Sequence, residues 1–227
     1  MKILAIDTAT EACSAAVLSG ETIAMRYDEP RRGHSEQILP MVDAVLAEAG
    51  LALRDLDVIA VGRGPGAFTG VRIAVSVAQG LAFGAGKLVV PVSDLAALAQ
   101  RAVVEHNAHN VIACIDARMD EVYWGRFAVD AQQLVVADSD ERVGPPAEIV
   151  VPTPGDWWGA GTGWGLHSLR GKLPADRTAP QLLPRAREIA LLARRDFHAG
   201  KGVPPEQALP VYLRDKVARP PSQSAGN

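Results

Sequence analysis

The stretch "VGRGPGAFTGVRIAVSVAQGLAFG", Val61–Gly84, runs from the apolar end of a strand through a glycine-rich turn into an apolar helix. Gly64, Gly66 and Gly70 permit a turn whose backbone N–H groups point outward at a helix N-terminus, an anion-binding arrangement. The loop has neither the lysine of a Walker A motif nor the GxGxxG spacing of a dinucleotide fingerprint. Two readings stay open: a phosphate cradle, or a tight strand-to-helix turn with no ligand. In the helix, spanning about Gly70 to Gly84, Arg72, Ser76 and Gln79 make one narrow polar stripe. Val71, Val75, Ala78 and Leu81 face one way, and Ile73, Val77 and Gly80 another. A helix apolar over most of its circumference must be covered on two sides. One cover is its own sheet, and the other is a second helix or a second protein.

Upstream, "KILAID", "ACSAAVLSG" and "ETIAMRY" read as a meander of short strands. "HSEQILPMVDAVLAEAG" carries Ile38, Val42, Val45, Leu46 and Ala49 at helical spacing, with Ser35 expected as its cap and Gly50 as its stop. "LDVIAVG" is a buried strand feeding the glycine loop, "KLVVPVS" is another, and Ser93 caps the helix "DLAALAQRAVVEH". The pattern then restarts. "ACIDARMDEVYWGRF" follows "LAIDTATEACSAAVL" in order of element types, with Asp116 set on Asp7, which reads as a duplicated α/β unit. Residues 1–105 form the expected first lobe with the partner-binding helices, and 106–216 a smaller second lobe. Residues 217–227 form a disordered tail. Gly144–Gly165 is read as loops, Arg185–Gly200 as an amphipathic helix, and "ALPVYLRDK" as an extended segment.

Bulk properties narrow the function. The 227 residues are 48% hydrophobic and 22% charged, ordinary globular composition, with a formal net charge of −3. No basic excess exists to grip a nucleic acid alone. Cys13 and Cys114 lie far apart without metal-ligand spacing, so neither a disulfide framework nor a structural zinc site is expected. The first residues do not resemble a signal peptide, and no apolar segment is expected to span a membrane. A cytoplasmic setting is the expectation.

Asp7 and Asp116 end equivalent strands, where they could hold a metal–nucleotide complex between two lobes. The alternative is that each caps its own turn, favoured for Asp116 and open for Asp7. Neither is followed by the glycine that would let a phosphate approach. His34, His106, His109, His167 and His198 are expected to be solvated surface residues, and Trp157, Trp158 and Trp164 to pack the second lobe.

In order along the chain stand "ILAIDTATEACSAAV", "HSEQILP", "GPGAFTGVRIA", "IDARMDEVY" and "PVYLR". With them the chain closely resembles the TsaB (YeaZ) family from about Lys2 to Arg214, departing by Ala67 where the family usually has Ser. The resemblance implies a two-lobed actin-like ATPase (ASKHA) fold and paralogy to TsaD, which transfers a threonylcarbamoyl group from its adenylate to the adenosine beside the tRNA anticodon. In TsaD the corresponding helix carries a His-x-x-x-His metal motif. Here Asp94 and Leu98 stand at those places, and leucine cannot ligate a metal.

The resemblance therefore implies a non-catalytic partner of TsaD, joined by the ATPase TsaE, a homodimer when alone, and in contact with tRNA only through the complex. No cofactor is expected beyond weak ATP or ADP binding at a shared interface. The expected docking face combines His34, Glu36, Ile38, Leu39 and Val42 with Val71, Arg72, Val75, Ala78 and Gln79. Asp7, Gly64, Gly66, Thr69 and Gly70 would be a vestigial phosphate site. Rival readings are a working ATPase or phosphotransferase using Asp7 and the glycine loops at 64–70 and 159–165, and, more remotely, a peptidase.

Overall fold

A computed structural model describes residues 1–30 and 33–214; the expected tail, 217–227, lies outside the described residues. The chain begins β1 (Lys2–Asp7), β2 (Cys13–Ser19), β3 (Thr22–Asp28), α1 (His34–Ala49), β4 (Val58–Gly62), α2 (Phe68–Ala85), β5 (Leu88–Val92) and α3 (Asp94–His106). It continues with β6 (Asn110–Arg118), β7 (Glu121–Val129), β8 (Val135–Ala137), β9 (Arg142–Gly144), β10 (Trp157–Ala160), β11 (Thr178–Ala179) and α4 (Ala186–His198).

The first sheet has the order β3-β2-β1-β4-β5 and the second β8-β7-β6-β10-β11, with β9 added on β7. In both, the first two strands pair antiparallel and the next two additions are parallel. Identical order and direction in two sheets is what a duplicated unit leaves behind, and it is the topology of the two-lobed actin-like ATPase fold. The halves differ in what connects the strands. Where the first unit has α1 and α2, the second has short 3₁₀ turns and the tryptophan-bearing loops.

Each central strand is buried on both faces, so it reads as a continuous apolar run rather than an alternating one. Ile3, Ala5, Val58, Ala60, Val90 and Val92 of the first sheet join a central core with Val111, Ala113 and Ile115 of the second. Between the sheets lie α3 and α4, and each closing helix packs on the other unit's sheet: α3 on β6, β7 and β10, α4 on β1, β2 and β4. Arg185, at the cap of α4, pairs with Glu105 of α3 at 2.9 Å. The units are thus interlocked, and a cut at residue 105 removes α3 from the strands it covers. On the outer face of the first sheet, Leu4, Ile6, Ile59 and Val61 meet Ile38, Val42, Val45, Val71, Val75 and Ala78.

Several local expectations are revised. The first helix starts at His34 with Gly33 at its cap position (φ 98°), and Ser35 is an exposed residue inside its first turn. The second helix runs two residues beyond the glycines at its start and ends one residue past Gly84; Gly86, at φ 64°, is the residue that leaves the helix. That makes α2 18 residues long and apolar enough to cross a membrane, against expectation. One of its faces is nonetheless packed on the sheet, as in core helices of folded domains. Trp157–Ala160, read as loop, is a parallel strand next to the centre of the second sheet. Ser93 does cap α3, its hydroxyl accepting from the Ala96 N–H at 3.1 Å. Because Leu98 is fully buried between the sheets, Leu98→Ala is expected to cost about 2–5 kcal/mol in urea unfolding.

Candidate functional site

The glycine loop lies between β4 and α2, facing the turn after β1. A Cβ on Gly66 would strike the Ala9 carbonyl oxygen, and one on Gly70 the Thr8 carbonyl oxygen. The approach is held by hydrogen bonds: Ala67 N–H donates to Ala9 O at 2.7 Å, and the Thr8 hydroxyl donates to Gly70 O at 2.7 Å. These glycines therefore serve backbone-to-backbone packing. The second loop repeats the pattern, since a Cβ at Gly161 or Gly163 would strike the backbone or sulfur of Cys114. Thr69 is exposed on the first turn of α2.

Asp7 caps its own turn, accepting from Ala9 N–H at 2.8 Å, and Asp116 does the same with Arg118 N–H at 2.8 Å. Asp7 is fully buried beside Asp94, equally buried at the first position of α3. The two carboxyls meet over Gly62, where a Cβ would collide with Asp94 Oδ1 and lie 2.7 Å from Asp7 Oδ1. Burial pushes the Asp7 carboxyl up to about 6, against the hydrogen bond from Ala9. Burial and the neighbouring Asp7 charge push Asp94 well above the carboxylate range. This acid pair was not legible in the sequence, where Asp94 is only the residue standing at the first histidine position of the TsaD metal motif.

An open cleft of about 850 Å³ lies between the lobes, bounded by Ala9–Glu11, His34, Pro65–Phe68, Ile115–Arg118 and Val211–Arg214. At its mouth the Arg72 guanidinium stacks 3.2 Å from the centroid of Phe68 and 5.0 Å from that of Tyr212. Phe68 and Tyr212 are about half exposed, and sequence reasoning missed both; an aromatic opening a helix and another in an irregular terminal segment were the available signals. Across the cleft, Arg118, Met119 and Asp120 all adopt left-handed backbone, φ 62°, 58° and 59°, a costly run for residues with a Cβ. Arg214 holds this hairpin by donating to Ala117 O at 3.1 Å and pairing with Glu121. Arg118 reaches Glu11 of the first lobe at 3.2 Å.

The expected docking residues do not form one face. Ile38, Val42, Val71, Val75 and Ala78 are buried in the chain's own core and cannot also meet a partner. Gln79 is occupied, donating to Ala208 O at 3.0 Å. His34 is half-buried, its Nε2 3.1 Å from Thr10 O, while Glu36 and Leu39 are exposed. The free face of α2 is the other one: Ile73 and Val77 are half-exposed, Gly80 and Gly84 border open space, and Phe83 is 82% exposed. The period was read correctly, but which stripe faced the sheet was not. Among the other marked residues, Trp157 and Trp164 pack the second lobe as expected, whereas His106 is stacked on Trp158 at 4.7 Å rather than solvated.

Comparison with known proteins adds identity to this geometry. A family model described as "TsaD: tRNA N6-adenosine threonylcarbamoyltransferase" matches residues 28–156. The "tRNA threonylcarbamoyladenosine biosynthesis protein TsaB" of Escherichia coli (strain K12) is 43% identical over 96% of this chain and 96% of its own. The chain belongs to the TsaB (YeaZ) family. The Haemophilus influenzae TsaB is 38% identical over 96% of this chain and 95% of its own. A solved structure titled "YeaZ from Pseudomonas aeruginosa" superposes with a TM-score of 0.89 at 50% identity, covering 93% of this chain and 99% of that one.

In this TsaB-family chain the glycine loop makes a stability prediction. Gly66→Ala and Gly70→Ala should each lower stability by about 1–3 kcal/mol in urea unfolding. A loop kept open for phosphate would instead lose binding at unchanged stability.

Proposed function

We propose that, within tRNA threonylcarbamoyladenosine biosynthesis, the chain is a non-catalytic partner of TsaD. The observation that carries the proposal is the apolar outer face of α2, from half-exposed Ile73 and Val77 through Gly80 to exposed Phe83 and Gly84, together with exposed Leu39 on α1. Two glycines four residues apart inside a helix each cost about 0.5–1 kcal/mol relative to alanine, and here no atom of the chain itself occupies the space above them. They suit a second helix approaching closely. Exposed apolar area on adjacent helices commonly marks an interface.

The choice of TsaD as the occupant is supported by the TsaD family model, which matches the stretch that contains α1 and α2. Paralogues carry related surfaces, so two such helix pairs can dock as a pseudo-symmetric bundle, and this chain pairs with itself when TsaD is absent. TsaE joins the pair, tRNA is reached through the complex in keeping with the net charge of −3, and the setting is the cytoplasm. The proposal needs no cofactor on this chain. It is supported by a glycine loop consumed in packing and by Asp7 buried against Asp94. The corresponding vestigial phosphate site, Asp7 with Gly64, Gly66, Thr69 and Gly70, then acts as architecture.

Gly80→Gln should raise the stability of the isolated chain by a few tenths to about 1 kcal/mol through helix propensity. It should at the same time abolish co-purification with TsaD, and Phe83→Asp should do the latter alone. Full pairing and full threonylcarbamoyl transfer by both folded variants would refute the docking face.

A further inference from the structure

The Asp7–Asp94 pair has two carboxylate oxygens left over. Asp7 Oδ1 accepts from Ala9 N–H, and Asp94 Oδ2 accepts from Gly64 N–H. Asp7 Oδ2 and Asp94 Oδ1 are buried without a partner. Both residues are fully buried, and both side chains fill the space that a Cβ on Gly62 would need. Two ionised carboxylates in one dry site repel strongly, and an unpaired buried charge is costly. We propose that a single proton, carried mainly by Asp94, is shared between these two carboxyls and locks the first turn of α3 to β1 and to the glycine loop that opens α2.

The alternative occupant is a divalent cation, which typically requires about six or more oxygen ligands. Among the described residues no group of three or more His, Cys, Asp or Glu converges, so the proton is the fitting occupant. The lock reaches α2 directly, because Gly64 and Asp94 are doubly bonded: Asp94 N–H donates to Gly64 O at 3.1 Å while its carboxyl accepts from Gly64 N–H. The other charged or titratable groups acting on the pair are few. His34 of α1 favours the Asp7 charge, and Arg63 favours the Asp94 charge while pairing with Glu141 at 3.5 Å. The buried Cys13 thiol of β2 is itself pushed up to about 11.

The pH dependence follows from which state holds the proton. Asp7 is raised to about 6 and Asp94 well above the usual range, so the folded chain binds more protons than the unfolded chain above pH 4. Their contribution to stability is complete below the unfolded value of 3.8 and declines as pH rises through the folded values. Wherever the folded chain holds one proton more than the unfolded chain, the loss is about tenfold in the unfolding constant per pH unit. Asp94→Asn keeps the geometry, offers a permanent N–H to Asp7 and has no proton to lose.

The test is urea unfolding of the isolated chain from pH 5 to 8. The unfolding constant of the wild type should rise relative to Asp94→Asn as pH increases, by up to about tenfold per pH unit for the one proton lost. His34→Gln and Asp116→Asn should keep the wild-type slope. Should Asp94→Asn fail to fold, ¹³C-carboxyl NMR of the wild type gives the same answer, with one of the two aspartates still protonated above the usual carboxylate range. Parallel curves for wild type and Asp94→Asn, or two ionised carboxylates by NMR, would overturn the shared proton. So would a melting temperature lowered by EDTA and restored by Mg²⁺, which would place a cation there. None of these outcomes depends on pairing with TsaD.

Discussion

The rest of the structure depends on the approach of the Thr8–Ala9 backbone to Gly66 and Gly70, closed by two 2.7 Å hydrogen bonds. That contact sets where α2 begins and therefore which of its faces meets the sheet. It also consumes the loop that a phosphate would need, and it brings Gly62 and Asp94 over Asp7. With α2 fixed on one side by its own sheet, the stripe through Ile73, Val77 and Gly80 is only partly covered by the described residues. The glycine loop anchors the start of α2 to the turn after β1.

The duplication explains why this matters for one lobe only. Both units keep the same strand order, but the second has lost the helices corresponding to α1 and α2 and covers its outer face with Trp124, Trp157 and Trp164 instead. Tryptophan fills that space without a protruding helix; the Trp164 N–H even satisfies Ile112 O at 2.9 Å. The exchange of α3 and α4 between sheets joins the two units through a shared core, so the cleft between them is spanned by rigid layers and bridged at its rim by the Arg118–Glu11 pair.

Much of the fold was legible in the sequence. The restart at "ACIDARMDE" exposed the duplication, and the apolar periods of α1, α2, α3 and α4 located the helices. The family was carried by five ordered motifs, each of which maps to a structural joint: the turn after β1, the start of α1, the glycine loop, the β6–β7 hairpin and the Arg214 clamp. What was not legible has physical causes. β10 is four residues long and contains a glycine pressed against Trp164, so no period could announce it. The face of α2 was ambiguous because both stripes are apolar, and only tertiary packing decides between them. The Asp7–Asp94 pair joins residues 87 positions apart through a parallel-strand crossover, and no local pattern encodes that.

The central claim is that this chain contributes a surface and no chemistry of its own. The most direct measurement is reconstituted threonylcarbamoyl transfer to tRNA with each protein omitted in turn, alongside ATP hydrolysis by the isolated chain. The account predicts that transfer fails without the chain and that the chain alone hydrolyses no ATP. Turnover of nucleotide by the isolated chain, with TsaD indifferent to its presence, would contradict it.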